Sequence, residues 1–269
     1  MSQTNLHISS ITVYPIKSCK GISLQSSVVE ERGLQFDRRW MLVDENNSFL
    51  SQRAFPKMSL IETAIEKEFL LICAPTMSEL RVPIISESRK VLSTIIWDDI
   101  VQAISVSKEA DEWFSEFLQT QCKLVYQPDE SIRTVDKKYA KNNEQTSFAD
   151  AFPFLVISDA SLDALNEKLL SPVLMNRFRP NITISGSEPF AEDAWKKIHV
   201  NGITFSLVKP CARCVVTTVE QSTGITGKEP LRTLSEFRTF NNKVLFGQNA
   251  VADRTGNISV NDSISIRDF

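Results

Sequence analysis

The feature that most constrains the fold of this chain is a succession of short, apolar, partly alternating segments over residues 8–105. These segments are rich in Val, Ile and aromatic residues, and turn clusters such as "DENNS" separate them. Alternation over four to eight residues is typical of half-buried strands. Several short strands at close spacing favour a small barrel or sandwich, so this part is predicted to be mainly β.

Two segments after residue 105 predict a domain boundary. Residues 108–118 form a helical pattern, with Trp113, Phe114, Phe117 and Leu118 on one face. Residues 127–150 are polar and lack apolar periodicity, which predicts a long loop that lies between domains or carries function. We therefore expect one domain over residues 1–125 and a second over residues 126–269.

The second domain alternates predicted strands with short helices. "PFLVIS" predicts a strand, "DASLDALNEKLL" a helix, and Asn201-Gly202 the turn of a hairpin. "CVVTTVE" predicts another strand after the cysteine pair. A last helix is expected from Pro230, with Leu231, Leu234 and Phe237 inward. The fold class is therefore mainly β with some α.

Composition excludes several classes of function. The chain has 42% hydrophobic and 23% charged residues, typical of globular proteins, and a net charge of -3, which argues against a nucleic-acid partner. No apolar run approaches the length of a membrane span. Two histidines, neither near a nucleophile motif, argue against a Ser-His-Asp hydrolase. Five cysteines without a disulfide framework, and no secretory signal, favour a cytoplasmic location.

The cysteine pair Cys211 and Cys214, in "KPCARC", has several interpretations. A structural zinc site lacks further ligands in the sequence. A redox pair is expected to precede a helix, whereas a strand is predicted here. Two buried structural cysteines remain an alternative. Lys209 and Arg213 favour an ionised thiol, and a thiolate is a good ligand for a soft or high-valent metal.

Two N-terminal motifs predict a cationic pocket. Lys17 and Ser18, in "YPIKSCKG", can hold a phosphate, and a solvated turn is the alternative. In "GLQFDRRWMLVD", alternation places Arg38 on the face that carries Trp40. Arg38 then points into a pocket or pairs with Asp37.

Two C-terminal motifs extend this prediction. Arg177 and Arg179 share strand parity before "NITISG", which suits a polyanionic ligand or a pair of rim salt bridges. Gly247 indicates a bulge or a close approach of backbone to a ligand, and the amides of Gln248 and Asn249 can bind a heterocycle. Together with one soft sulfur, these groups suit a phosphorylated, nitrogen-rich cofactor that carries a metal.

The ordered motifs resemble a known family. They are "YPIKSCKG", "GLQFDRRWMLVD", "FRPNITISG", "AEDAW", "KPCARCVVTTVEQSTG", "EPLRTL" and "FGQNAV". Over nearly the whole chain they resemble proteins with an N-terminal MOSC β-barrel followed by a MOSC domain, the group that contains the mitochondrial amidoxime-reducing component and its bacterial relatives. The resemblance implies a small β-barrel-like domain and then a MOSC β-barrel domain with flanking helices.

The resemblance also implies a molybdenum cofactor in the pterin-dithiolene form (Mo-molybdopterin). Carried over by motif, the metal ligand and catalytic residue is Cys214, whereas Cys211 matches a cysteine that does not bind the metal. The expected cofactor-binding residues are Lys17, Ser18, Arg38, Asp150, Ala151, Arg179, Ala212, Arg213 and Asn249.

The implied activity is that of a molybdenum-dependent oxidoreductase that reduces N-hydroxylated small molecules to amines. Some bacterial relatives carry a ferredoxin domain, but no cysteine follows Cys214 here, so no iron–sulfur cluster is expected. A separate electron donor of the ferredoxin, flavoprotein or cytochrome type is therefore expected, without a membrane or nucleic-acid partner. The alternative is a cofactor carrier or sulfur-transfer module, since MOSC domains also occur in molybdenum-cofactor sulfurases. A thiol–disulfide protein is a third possibility.

Overall fold

The computed structural model describes residues 6–85, 88–140 and 142–267, and the outermost residues of both predicted domains lie outside these ranges. Its strands in the first half of the chain are β1 (His7–Val13), β2 (Ile22–Leu24), β3 (Ser26–Glu30), β4 (Gly33–Leu34), β5 (Trp40–Val43), β6 (Glu62–Glu66), β7 (Phe69–Cys73), β8 (Leu80–Pro83), β9 (Val91–Ile96), β10 (Asp99–Ser105) and β11 (Lys123–Tyr126). Those of the second half are β12 (Phe154–Ser158), β13 (Ile182–Ser185), β14 (Lys197–Val200), β15 (Ile203–Ala212), β16 (Thr239–Phe240), β17 (Lys243–Ala252), β18 (Gly256–Ser259) and β19 (Ser265–Ile266).

Helices are few and short. The α-helices are α1 (Lys108–Leu118), α2 (Asp159–Asn166) and α3 (Leu231–Phe237), and the 3-10 turns are Pro56–Leu60, Met175–Arg177, Ala191–Asp193 and Val215–Thr218. The predicted class, mainly β with some α, is confirmed. No helix in the described ranges is long and apolar enough to cross a membrane.

The largest sheet joins the two ends of the chain. Its order is β19-β14-β15-β17-β12-β13-β1-β2, with β16 paired to β17, and β12 runs parallel to β13. Strands β1 and β2 thus belong to a sheet otherwise built from the second half, and β3 pairs with β18. The predicted boundary between residues 125 and 126 stays a prediction. Residues 7–34 lie before it in the chain, yet their strands β1 and β3 pair with the second-half strands β13 and β18.

The rest of the first half forms two smaller sheets around α1. Their orders are β5-β11-β10-β9 and β6-β7-β8. The α1 helix begins at the cap Ser107, whose hydroxyl accepts from the Ala110 amide at 3.1 Å, and it buries Trp113, Phe114 and Leu118. The predicted helix and its apolar face are confirmed.

The structure overturns two predictions in the second half. "CVVTTVE" is not a strand: β15 ends at Ala212 and the chain enters the 3-10 turn Val215–Thr218. The hydroxyl of Thr217 donates to the Cys214 carbonyl at 2.9 Å, and such local bonds compete with a strand ladder. In α3, Leu234 is fully buried but Phe237 is 37% exposed, because this helix ends there and the Phe237 ring meets only the edge of Phe190 and the Lys168 ammonium among the described residues.

Candidate active site

One cavity is lined by residues from both halves of the chain. It is a cleft of about 140 Å³ that is partly open to solvent. All ten residues predicted from the sequence line it: Lys17, Ser18, Arg38, Asp150, Ala151, Arg179, Ala212, Arg213, Cys214 and Asn249. The structure brings them together, and their individual roles stay predictions.

Cys214 lies where β15 gives way to the Val215–Thr218 turn. Its backbone is extended, with φ −129°, and its thiol is half-buried and free. The guanidinium of Arg53 donates to the Cys214 sulfur, with Nη2 3.7 Å from Sγ. The neighbouring sulfur, Cys211 Sγ, instead accepts from Arg213 Nη1 at 3.0 Å.

Of Lys209 and Arg213, the two cations predicted to lie beside the thiols, only Arg213 contacts one. The ammonium of Lys209 lies over the ring of Tyr139, 4.5 Å from its centroid, whereas Arg213 contacts Cys211. The cation on Cys214 is Arg53, which the sequence analysis missed. Arg53 stands in "SQRAFPK", a turn with no recognisable binding pattern, so no sequence signal could have indicated it.

Two arginines of the cavity lie against the ring of Tyr14. The guanidinium carbons of Arg38 and Arg179 are each 4.2 Å from the Tyr14 centroid, and Arg38 pairs with the buried Asp37 at 2.6 Å. The ring fits because Gly21 has no side chain: a Cβ there would lie 2.5 Å from Tyr14 Cε1. Arg38 therefore both lines the pocket and pairs with Asp37.

Strand alternation was the wrong reason for placing Arg38. Its φ is +48°, so it precedes β5 and does not share the pleat of Trp40. Arg39 instead lies with Trp40 beside Tyr126, its guanidinium carbon 5.1 Å from that ring. Alternation assumes extended backbone, and a residue in the left-handed region, such as Arg38, does not follow it.

The paired orientation predicted for Arg177 and Arg179 is also wrong. Arg177 ends a 3-10 turn and donates to the Thr217 and Glu229 carbonyls and to Glu220 at 2.7 Å. Arg179 has φ +58° and points into the cavity. Arg177 is thus a salt-bridged residue that stabilises the segment after Cys214. Of these two arginines, Arg179 is the one that faces the ligand space.

Lys17 and Asp150 form an ion pair at the cavity wall. Lys17 Nζ is 2.6 Å from Asp150 Oδ1 and donates to the Phe148 carbonyl at 2.9 Å. Burial lowers the pKa of Lys17 to about 8, although Asp150 opposes that shift. Desolvation raises the pKa of Asp150, whereas the positive charges of Lys17 and Arg53 lower it. The effect of these charges is larger, so the pKa of this carboxyl lies below its usual range.

A buried arginine that the sequence analysis missed fixes the loop before this wall. Arg133 donates to the carbonyls of Ser147, Ala149 and Asp150 and pairs with Asp99 at 2.7 Å. Apart from residue 141, which lies outside the described ranges, the predicted loop over residues 127–150 is confirmed, and its end lines the cavity. Its three carbonyls converge on one guanidinium, which sets the position of Asp150.

The "FGQN" motif contributes one of its two amides. Asn249 lines the cavity and donates to the Lys209 carbonyl at 3.2 Å, whereas Gln248 turns away and donates to Asp193 at 2.7 Å. Gly247 has φ +80°, and a Cβ there would lie 2.6 Å from Ile157 Cγ1. The backbone of Gly247 therefore lies close to strand β12, at a point where the pairing register between β15 and β17 is irregular.

The cavity is rich in cations and has donors without acceptors. Five cations line it, Lys17, Arg38, Arg53, Arg179 and Arg213, against one carboxylate, Asp150. Two buried donors, Arg179 Nη2 and Arg213 Nε, have no hydrogen-bond partner among the described residues. Burial also lowers the pKa of Arg179 to about 10. Since unpaired buried donors are costly, this arrangement suits an anionic ligand with several acceptors, and Cys214 adds a soft sulfur.

Comparison with known proteins assigns both parts of the chain. Residues 5–121 match the family described as "MOSC N-terminal beta barrel domain", and residues 143–265 match "MOSC domain". The chain is 33% identical over 277 residues to mitochondrial amidoxime reducing component 2 of Rattus norvegicus, covering 96% of this chain and 82% of the rat protein.

The chain belongs to the MOSC-domain family. The resemblance and the two MOSC-type domains predicted from the sequence are confirmed. Mitochondrial amidoxime-reducing component 1 of Homo sapiens is 29% identical over 277 residues, covering 96% of this chain and 82% of the human protein. The molybdenum cofactor sulfurase of Oryza sativa subsp. japonica is 32% identical over 265 residues, which cover 91% of this chain and 32% of that protein.

Proposed function

We propose that this MOSC protein binds a molybdenum cofactor in the cavity and reduces N-hydroxylated small molecules to amines. The observation that carries the proposal is that two half-buried thiols, Cys211 and Cys214, meet five cations in this cavity, and two of these cations have an unpaired buried donor. A molybdopterin cofactor has a phosphate, a pterin rich in acceptors and a metal that binds thiolates. The residues present therefore fit the group, and the names of the relatives point to the same chemistry.

Each wall of the cavity has a distinct part in this proposal. Cys214 supplies the sulfur ligand of the metal. Arg38 and Arg179, held against Tyr14, bind the phosphate, for which planar guanidinium groups are well suited. Arg213 and Asn249 lie on the wall formed by β15 and β17 and bind acceptors of the pterin. When bound, the cofactor supplies the two-electron redox chemistry.

The protein's own residues would orient the substrate and manage charge. The Lys17–Asp150 pair keeps a carboxylate at the cavity wall, where it can accept hydrogen bonds from the N–H and O–H groups of a hydroxylamine or amidoxime. We infer that electrons come from a separate donor protein of the ferredoxin, flavoprotein or cytochrome type. The overall reaction consumes two electrons and two protons and releases the amine and water.

Metal and pterin content tests the proposal directly. The wild type and Cys214→Ala are produced in a host that makes the cofactor, with Cys211→Ala as the matched thiol control. We expect near-stoichiometric molybdenum and pterin in the wild type and in Cys211→Ala, and loss of the metal in Cys214→Ala. Equal losses in both variants would favour a thiol pair, and a wild type without either component would overturn the proposal.

A second candidate function is a cofactor carrier or sulfur-transfer module. The similarity to the rice sulfurase over 91% of this chain favours it. The assay that separates the two is reduction of benzamidoxime with reduced methyl viologen as the artificial donor. Turnover by the loaded protein supports the reductase, whereas a loaded but inert protein supports the carrier.

A further inference from the structure

Arg53 is one of the five cavity cations, and the proposed function assigns it no separate part. It comes from the first half of the chain, between β5 and the first 3-10 turn, yet its Nη2 lies 3.7 Å from Cys214 Sγ in the second half. The same Nη2 lies 3.8 Å from Asp150 Oδ2. A single guanidinium nitrogen therefore bridges the thiol and the carboxylate of the cavity wall.

One aromatic residue, Trp97, contacts Arg53, and a second, Phe49, packs against Trp97. Its guanidinium carbon lies 4.5 Å from the ring of Trp97, within the range of a cation–π contact. Trp97 occupies the β9–β10 turn, donates its indole N–H to Asp150 at 3.3 Å, and packs on Phe49 with ring centroids 5.0 Å apart. The β9–β10 hairpin thus reaches the cavity and supports Arg53 from behind.

The backbone next to Arg53 is held as firmly. Gln52 is fully buried and exchanges amide hydrogen bonds with Gln221, at 3.3 and 3.1 Å, and donates to the Ser18 carbonyl at 2.7 Å. Gln221 lies just beyond the turn that follows Cys214. The segment with Arg53 is therefore locked to the segment with Cys214.

We propose that Arg53 is a positioning residue that donates an N–H···S hydrogen bond to the Cys214 thiolate and thereby tunes the metal centre. The inference rests on the proposed function, because it concerns the sulfur that would bind the metal. Hydrogen bonds to ligand sulfurs withdraw electron density from the metal and raise its reduction potential. The side chain of Arg53 is 29% exposed, so it stands at the cavity wall, where loss of its charge need not expel the phosphate.

The test measures the midpoint potential of the loaded protein by potentiometric titration with EPR detection. Arg53→Met is expected to move the potential to a more negative value and to change the EPR g-values, while molybdenum and pterin content stay near wild type. The rate of substrate reduction should fall by roughly 10- to 100-fold. Arg53→Lys should recover part of the potential shift, and Arg81→Met, which removes an exposed arginine from β8, should change nothing.

Trp97→Leu is the second variant, because it keeps the charge of Arg53 and removes its support. It should shift the potential in the same direction by a smaller amount, and it decides the test if Arg53→Met does not fold. Unchanged potentials and spectra in a loaded protein would overturn this inference alone. So would loss of the cofactor in both Arg53→Met and Arg53→Lys, which would make Arg53 a binding residue. A wild type without molybdenum or pterin would overturn the proposed function and this inference with it.

Discussion

Two groups of arginines in this protein differ in how their buried donors are satisfied. In the first group, Arg39 donates to the Gln127 carbonyl at 2.7 Å, to the Tyr126 hydroxyl at 2.9 Å and to Asp129 at 2.7 Å. Arg32 beside it donates to the carbonyls of residues 128, 129 and 131. In the cavity, by contrast, Arg179 and Arg213 each keep a buried donor that has no partner in the part of the chain that the structure describes.

The difference separates a structural arginine from one that awaits a ligand. A buried donor without a partner costs free energy, so most buried donors in folded proteins are paired. The hydrogen bonds that Arg32 and Arg39 donate to residues 127–131 attach the loop after β11 to the segment between β3 and β5. It leaves the cavity arginines incomplete, which is the pattern expected where an external anion supplies the missing acceptors.

The largest expected effect is on stability, at the structural group. Arg39→Met removes charge-assisted hydrogen bonds and leaves the Gln127 carbonyl buried without its donor, which should lower the free energy of unfolding by about 2–3 kcal/mol. Urea denaturation followed by tryptophan fluorescence measures this. Affinity for inorganic phosphate, measured by calorimetry, should stay unchanged. A large loss of phosphate binding with normal stability would reverse the comparison.

The opposite pattern is expected at the cavity. Arg179→Met removes a desolvated cation whose free donor is available to an anion, so phosphate affinity should fall by about tenfold, the loss of one charged hydrogen bond. The free energy of unfolding should change by less than about 1 kcal/mol, because the folded protein no longer buries this charge. If Arg179→Met were as destabilising as Arg39→Met, the cavity arginine would be structural too.

The smallest expected effect is a pH dependence that sharpens the role of Lys17. Burial lowers the pKa of Lys17 to about 8, below that of an unfolded lysine. Above pH 8 the cavity therefore loses one positive charge, and phosphate affinity should fall by a few-fold between pH 7.5 and about 9. Lys17→Met should bind more weakly at pH 7.5 and show a flatter profile over the same range.

Stability should respond to the same proton in the opposite direction. The unfolded lysine keeps its proton to a higher pH than the folded one, so the contribution of Lys17 to the free energy of unfolding rises between about pH 8 and 10.5. Asp150, Arg133 and Arg38 are the charged groups that act on Lys17: Asp150 raises its pKa, whereas the two arginines lower it. A fall of phosphate affinity in Lys17→Met as steep as in the wild type would assign the pH dependence to another group.

Local chemistry made several elements predictable. The Asn201-Gly202 turn, the α1 helix and the strand at Phe154–Ser158 depend on neighbouring residues and on an apolar period, and each is present. The prediction failed at "CVVTTVE", where β-branched residues suggest a strand. There the hydroxyls of Thr217 and Thr218 donate to backbone carbonyls three residues earlier. Arg177 in turn donates to the Thr217 carbonyl and stabilises the resulting 3-10 turn.

The candidate site followed a different rule. The residues predicted from ordered motifs all line one cavity, but their directions were assigned poorly. Arg38 and Arg179 adopt left-handed backbone conformations that alternation does not anticipate, and Arg177 points to Glu220. Arg53 and Arg133 were missed because each acts on a part of the chain that is remote in sequence.

The sequence by itself determined the class of fold, the family and ten of the residues that meet in the cavity, because apolar period and motif order are properties of neighbours along the chain. Only the tertiary structure decided which cation contacts Cys214, which arginines keep unpaired donors and how β1 and β2 join the sheet of the second half. Those features depend on pairs of residues more than a hundred positions apart, such as Arg53 and Cys214, and on the burial that desolvates them. Folding brings such pairs together, and no local pattern encodes their geometry.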